Sequence, residues 1–325
     1  MTTKKQRLVV IDGLNLYLRN FIVNGSVSTH GNPVGGIVGT LGSLRKIAKE
    51  TNADKMIICW DGPGGSLKRR QIVKEYKEGR KPIRKNYEIE GMDEQSEKQN
   101  RAWQQILLGE IINNTPIIQL TLEGVEADDI VSYVCRHPIH KGMEKVIVSS
   151  DKDFIQLLDD ETVLFRPIQK EVLTKLNVLN EYGISPENFV TARAIAGDVS
   201  DNLVGVKGAG LKTIAKRLPF LAEHKFHNVN EVESFCKENT GKAKFYDDVV
   251  VNSDLVRTNF KIMNLLPPSI SPQGKSKVDW ALENFTFDLN ATELKKISIE
   301  NGFASFDWSG FTAVMRNLES VGKNP

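Results

Sequence analysis

Five short stretches of this 325-residue chain carry the side chains most able to do chemistry. They are Val-Val-Ile-Asp-Gly around Asp12, Ile-Cys-Trp-Asp-Gly around Asp61, Gly-Val-Glu-Ala-Asp-Asp with Glu126, Asp128 and Asp129, Ser-Ser-Asp-Lys-Asp with Asp151 and Asp153, and Gly-Asp-Val-Ser-Asp-Asn with Asp198 and Asp201. Taken singly, each has an ordinary reading as a turn former or a helix start. Their joint occurrence is different. Three of the five directly follow an apolar run that reads as a buried strand, and strand ends deliver side chains to one edge of a sheet. Two unit charges about 4 Å apart repel by roughly 4 kcal/mol at an effective dielectric near 20. Such a set needs bound cations or strongly raised pKa values at neutral pH. Oxygen ligands without His or Cys favour Mg²⁺ or Mn²⁺ over Zn²⁺. The nine carboxylates therefore predict a two-metal site. Glu126 and Asp128 would point apart in a regular helix, so both can face it only if Glu126 is still in an extended entry segment.

A second signal follows Asp61. Lys68, Arg69, Arg70, Lys74, Lys77, Arg80, Lys81, Arg84 and Lys85 stand against only Glu75 and Glu78, with Tyr76 interleaved and Tyr87 just beyond. Basic residues around an aromatic beside a candidate metal ligand predict a nucleic-acid-binding segment, Tyr76 being placed to stack on a base. Residues 78–99 are polar with weak periodicity, which predicts mobility until substrate binds. The third signal is Gly205-Val-Lys-Gly208-Ala-Gly210, followed by Leu211, Lys212 and Thr213. Leu211 spoils a nucleotide phosphate loop. Between two helices, the same residues suit a helix–hairpin–helix element. Its amides and helix start would hold a DNA phosphate, with Lys207, Lys212 and Lys216 adding charge.

These residues need a scaffold. Apolar runs at 8–11, 56–60, 117–120 and 146–148 read as strands, separated by helical segments at 37–50, 101–113 and 128–136. That alternation predicts an α/β fold, a mainly parallel central sheet with helices on both faces. Ligands of such sheets lie at the carboxyl ends of the strands. From Ser185-Pro186, a good helix start, the pattern becomes helical, with 211–218, 231–237 and 247–252 following. Residues 267–277, rich in Pro, Ser and Lys, read as a linker or surface loop, and 278–325 has apolar residues enough to fold but carries no evident chemistry. The expected units are an α/β core over 1–184, a helical domain over 185–266 that carries the glycine loop and would bind DNA, and a C-terminal segment over 267–325.

Bulk properties exclude some classes. The composition, 40% apolar and 26% charged, is that of a globular protein, and a net charge of +2 selects no partner by itself. Cys59, Cys135 and Cys236 are scattered, and Pro138 interrupts the one imaginable cluster, Cys135 with His137 and His140. Neither a disulfide framework nor a zinc site is expected, and a reducing, cytoplasmic location fits. No signal peptide, membrane span or membrane partner is expected.

With these motifs in view, the chain resembles the structure-specific 5′-nucleases: flap endonucleases, phage RNase H-type 5′-exonucleases and the 5′-nuclease domain of bacterial DNA polymerase I. The likeness spans roughly residues 7–259 and rests on Gly-Val-Glu-Ala-Asp-Asp, Ser-Ser-Asp-Lys-Asp-Phe, Gly-Asp-Val-Ser-Asp-Asn and Val-Gly-Val-Lys-Gly-Ala-Gly in this order. It implies a metal-dependent 5′-3′ exonuclease or flap endonuclease with RNase H activity, acting in replication primer removal or repair. Asp12, Asp61, Glu126 and Asp128 would hold one Mg²⁺. Asp129, Asp151, Asp153 and Asp201 would hold the other, with Asp198 in support. Residues 74–99 correspond to the flexible arch, and Lys77 and Arg80 to its contacts with the scissile phosphate. Lys74, Tyr76, Lys81, Gly205, Lys207, Gly208, Gly210, Lys212 and Lys216 would bind DNA, with K⁺ at the glycine loop. The partners to expect are DNA with a 5′ flap, nick or free 5′ end, or an RNA-primed duplex, together with a replicative polymerase, clamp or single-strand-binding protein. With no polymerase sequence following, a stand-alone monomer of the phage type is expected. A catalytically silent DNA-binding module of the same fold is the alternative, and the complete acidic set speaks for the enzyme.

Overall fold

The computed structural model describes residues 5–79 and 85–323. Its chain opens on β1 (Arg7–Asp12), α1 (Gly13–Val23), α2 (Gly35–Thr51), β2 (Lys55–Trp60), α3 (Leu67–Ile72) and α4 (Glu94–Ile112). It continues through β3 (Ile117–Thr121), α5 (Ala127–Arg136), β4 (Glu144–Val148), β5 (Thr162–Arg166) and β6 (Glu171–Leu173). Helices then dominate: α6 (Lys175–Tyr182), α7 (Pro186–Ala196), α8 (Leu211–Arg217), α9 (Val229–Glu238), α10 (Lys244–Val251) and α11 (Ser253–Met263). The last three are α12 (Pro272–Asn284), α13 (Ala291–Glu300) and α14 (Trp308–Lys323).

The strands form one sheet in the order β3-β2-β1-β4-β5-β6, parallel except for β6. A strand covered on both faces reads as a continuous apolar run, which is why β1, β2 and β4 were legible. Alternate residues of β1 serve two layers. Leu8 and Val10 pack with Ile130 and Val134 of α5, while Val9 and Ile11 pack with Leu16 of α1 and Leu41 of α2. The first of these apolar clusters continues without a break through Ile195 of α7, Ile214 of α8 and Val256 of α11. The strand order reverses between β1 and β4, leaving a crevice at their carboxyl ends.

Two expectations are corrected here. Residues 267–277 are not wholly a linker, because α12 starts at Pro272, with the Ser271 hydroxyl accepting the Gly274 amide at 3.1 Å. That is the same serine–proline start expected at 185–186, outweighed in the sequence by a loop-like composition. The segment 78–99 is helical from Glu94, capped by Asp93, which accepts the Ser96 amide at 2.7 Å. Its first turns face solvent, so they carry little apolar periodicity. Upstream, the Tyr87 hydroxyl donates to the Asn24 carbonyl at 2.6 Å, and the Asn86 amide to the Ile22 carbonyl at 2.8 Å. Among the described residues, no helix is long and apolar enough to cross a membrane.

The C-terminal segment contributes to the core. Phe311 and Met315 of α14 are fully buried in the cluster that contains Leu41 and Ile58. Phe311→Ala should therefore lower unfolding stability by about 3–5 kcal/mol in urea titrations. Trp280→Ala on α12, where the ring is 68% exposed, should stay within about 0.5 kcal/mol of wild type. Equal effects of the two would mean that α14 is not part of the sheet's covering layer.

Candidate active site

Asp12 ends β1 and also caps α1. Its Oδ1 accepts the Asn15 amide at 3.1 Å, and its Oδ2 accepts the Ser149 hydroxyl at 3.0 Å from across the β1/β4 crevice. Asp61 follows β2 and accepts the Ala127 amide at 2.8 Å, tying that strand end to the start of α5. Glu126 is extended (φ −78°, ψ 152°) and Asp128 lies in the first turn, so the geometric condition set by their spacing is met. Asp151 caps the 3₁₀ turn Lys152–Leu157 by accepting the Asp153 amide at 2.8 Å. Asp198 caps the turn Val199–Asp201. Asp153, Asp198 and Asp201 each present a carboxylate oxygen, and these oxygens lie within 4.8 Å of one another.

Electrostatics joins these groups into one field. Burial, with the charges of Asp61 and Asp151 adding to it, pushes Asp12 up to about 7 against the Asn15 amide. Burial and the Asp151 charge push Asp153 up to about 7 as well. Asp128 is held well above the usual carboxylate range by burial and by Asp151, and Asp151 is raised by burial and by Asp201. Glu126 goes the other way: burial opposes its charge, but Lys77 and Arg69 outweigh it and hold the carboxyl low. A buried, oxygen-only set in which Asp12, Asp128, Asp151 and Asp153 resist ionisation together fits hard divalent cations.

Among the described residues, three cations sit inside this field, and two escaped the sequence reading. Lys77 Nζ donates to Glu126 Oε1 at 2.6 Å, and its amide donates to the Asp201 carbonyl at 2.9 Å. Arg193 of α7 reaches Asp153 Oδ1 through Nε (3.3 Å) and Nη2 (3.2 Å) and pairs with Asp198. Arg69 of α3 is buried on Glu126 and Asp129. Arg69 was hidden in the basic run. Arg193 had a signal, a lone arginine among Ala192, Ala194 and Ile195 just before the fifth acidic stretch.

The remaining candidates divide. Tyr76 is not displayed for stacking, since its ring is 3% exposed among Val190, Leu203, Ile262 and Met263 and its hydroxyl donates to Glu126 Oε2 at 3.2 Å. Apolar neighbours from α7 and α11 give it more surface to bury than solvent could offer. Lys74, Lys207, Lys212 and Lys216 are exposed, the last two one turn apart on α8. Gly208 is left-handed at φ 77°, and a Cβ on Gly205 would meet the Ala196 carbonyl at 2.0 Å. Gly210 caps α8. Arg80 and Lys81 lie outside the described residues.

Fold and site together define an α/β protein with an oxygen-rich acidic centre at its topological switch point. A sequence model described as the 5′-3′ exonuclease N-terminal resolvase-like domain matches residues 7–183, more than half of the chain. A 5′-3′ exonuclease of Buchnera aphidicola is 32% identical over 246 residues, covering 74% of this chain and 80% of that protein. The thermostable DNA polymerase I of Thermus aquaticus is 32% identical over 215 residues, 66% of this chain but only 24% of the polymerase. Among solved structures, a bacteriophage T5 flap endonuclease in complex with DNA and metal ions superposes with a TM-score of 0.64 at 20% identity, covering 96% of this chain and all of that one. The T5 5′-exonuclease with bound zinc gives 0.63 at 21% identity, covering 91% and 98%. The chain belongs to the 5′-3′ exonuclease family.

The raised carboxylates make stability depend on pH. Asp12 binds its proton more tightly folded than unfolded, so its contribution is complete below about pH 4 and is lost as pH rises through about 7. In chelator, the melting temperature should fall between about pH 5 and 8, and Asp12→Asn should flatten that fall. A divalent salt at the upper pH should restore wild type more than the variant. Identical pH profiles for the two proteins would count against the assignment.

Proposed function

We propose that this 5′-nuclease hydrolyses phosphodiester bonds near the 5′ end of flap, nicked or RNA-primed DNA duplexes, with two Mg²⁺ ions. The observation that carries this reading is the acidic centre at the β1/β4 crevice with Lys77, within the basic segment, ion-paired into it. Asp12, Asp61, Glu126 and Asp128 would serve one ion, and Asp151, Asp153 and Asp201 the other. Asp198 would support the second group through Arg193, its own carboxyl kept low, against burial, by the Ser200 hydroxyl and Arg193. When bound, such ions supply a water of lowered pKa and charge compensation on the attacking and leaving oxygens. The chain's own part is positioning. Lys77 and Arg80 would neutralise the scissile phosphate, while Lys207, Lys212 and Lys216 would hold the duplex backbone without reading its sequence. Lys74 and Lys81 would add charge along the arch, and K⁺ at the 205–210 backbone is the finer part of the same reading.

Labelled 5′-flap, nicked and RNA-primed duplexes, incubated with Mg²⁺ and with chelator, test the proposal directly. Product lengths separate exonuclease from endonuclease action, and no cleavage of any substrate would leave the silent DNA-binding module as the better reading. Asp151→Asn with Asp153→Asn should lower cleavage at least about 100-fold yet keep duplex affinity. Lys77→Ala should lower the single-turnover rate by a similar factor, with Kd changed less than about threefold. Equal losses in rate and affinity would make Lys77 a docking residue.

A further inference from the structure

One carboxylate of the nine, Asp129, is held by an arginine and a backbone amide. Asp128 and Asp129 are adjacent on α5, and successive helical residues diverge by about 100°. Asp128 lies in the field of Asp151, Asp12 and Glu126. Asp129 instead has both oxygens engaged elsewhere. Its Oδ2 accepts Arg69 Nη1 at 2.9 Å, and its Oδ1 accepts the Ser269 amide at 2.8 Å, with the side chain 2% exposed.

Arg69 makes a second, closer contact. The same Nη1 donates to Glu126 Oε2 at 2.5 Å, while Nε donates to the Ile262 carbonyl at 2.9 Å. Glu126 is thus held by Oε2 from Arg69 and from the Tyr76 hydroxyl, and its Oε1 is turned to Lys77. The guanidinium serves two carboxylates from Nη1 and a carbonyl from Nε, a spread of donors that a single ammonium nitrogen does not offer. A buried arginine also needs a counter-charge. Asp129 supplies the second negative charge.

We propose that Arg69 is a positioning residue that fixes the Glu126 carboxylate, and that Asp129 is the counter-charge of Arg69 rather than a ligand of a divalent ion. This rests on the reading of the site as a divalent-ion centre. Through the Ile262 carbonyl, the same guanidinium ties α3, at the base of the arch, to α11 of the helical layer. Glu126 is therefore oriented by the elements that would carry the substrate.

The test compares Asp129→Asn, Asp128→Asn, Arg69→Lys and the double variant Arg69→Lys/Asp129→Asn with wild type. Mn²⁺ titration by calorimetry, melting temperature and single-turnover cleavage of a 5′-flap duplex are measured on each. Asp129→Asn should melt lower but bind Mn²⁺ within about twofold of wild type, whereas Asp128→Asn should weaken binding about 10–100-fold. Arg69→Lys should lower the cleavage rate about tenfold or more with duplex Kd nearly unchanged. The double variant should be no slower than Arg69→Lys alone, because the two residues act as one unit. Loss of Mn²⁺ affinity in Asp129→Asn equal to that in Asp128→Asn overturns the proposal. So does an Arg69→Lys variant that melts lower but cleaves at the wild-type rate. If Arg69→Lys does not fold, the Asp129→Asn and Asp128→Asn titrations decide alone. Wild-type protein that neither binds Mn²⁺ nor cleaves would instead refute the functional reading itself.

Discussion

Mutual repulsion among carboxylates at one sheet edge is the constraint to which the rest of this structure answers. Most of the acidic side chains are fixed by donors that belong to the fold. Asp12, Asp151 and Asp198 cap helical turns with their own carboxyl groups, and Asp61 holds the first amide of α5. Helix starts present unpaired amides and a partial positive charge, so the chain gathers the beginnings of several helical segments where its strands end. Arg69, Arg193 and Lys77 then place full positive charges between the acidic groups. Neither device would work alone. Amides orient the carboxylates but leave the charge, while buried cations without fixed geometry would collapse onto the nearest acid.

The same contacts bind the helical layer to the sheet. Gln156, in the turn after Asp153, donates to the Met263 carbonyl at 3.0 Å and accepts the Leu265 amide at 2.9 Å. Asn259 of α11 donates to the Ala194 and Val204 carbonyls at 3.0 and 2.8 Å, holding the end of α7 against the loop before the glycine element. A buried amide side chain satisfied on several sides fixes position as well as energy, since a shift of either partner leaves a polar atom unpaired. The surface that would grip a duplex and the edge that would cut it are therefore set at a fixed separation by buried polar bonds. The continuous apolar cluster behind them gives that arrangement its stability.

What could be read in advance follows from which signals are local. Strands buried on both faces announce themselves by apolar runs, and Asp12, Asp61 and Asp151 at their ends were placed by that logic. The extended backbone at Glu126 followed from a spacing argument alone. The arginines were not legible in the same way, because burial of Arg69 depends on Glu126, Asp129 and Ile262, which are 57, 60 and 193 residues distant in sequence. Tyr76 was misread for the same reason. Its neighbours in the sequence are charged and suggest exposure, whereas its neighbours in space, Val190 and Ile262, are apolar. Composition misled at α12, where Pro and Ser mark a helix start rather than a loop. α14 has an apolar stripe, but only the fold shows that it covers the sheet beside α2.

Among the described residues, three cations stand against nine carboxylates, a shortfall with a direction. Asp12 and Asp153 are pushed up to about 7, so near neutrality a proton meets part of the excess charge. A proton is a weak solution here, because it silences the oxygen it occupies. A phosphodiester brought to the same edge would add another negative charge and meet the same repulsion. Cation loading and substrate approach therefore favour one another, each lowering the cost of the other. Lys77 stands where the two meet, with its ammonium on Glu126 and its backbone on the turn that carries Asp201. On the proposed reading, a residue so placed would pass its charge from an acid to an incoming phosphate without leaving the centre. On that reading, the base of the arch would belong to the site's charge balance rather than tether a separate DNA clamp.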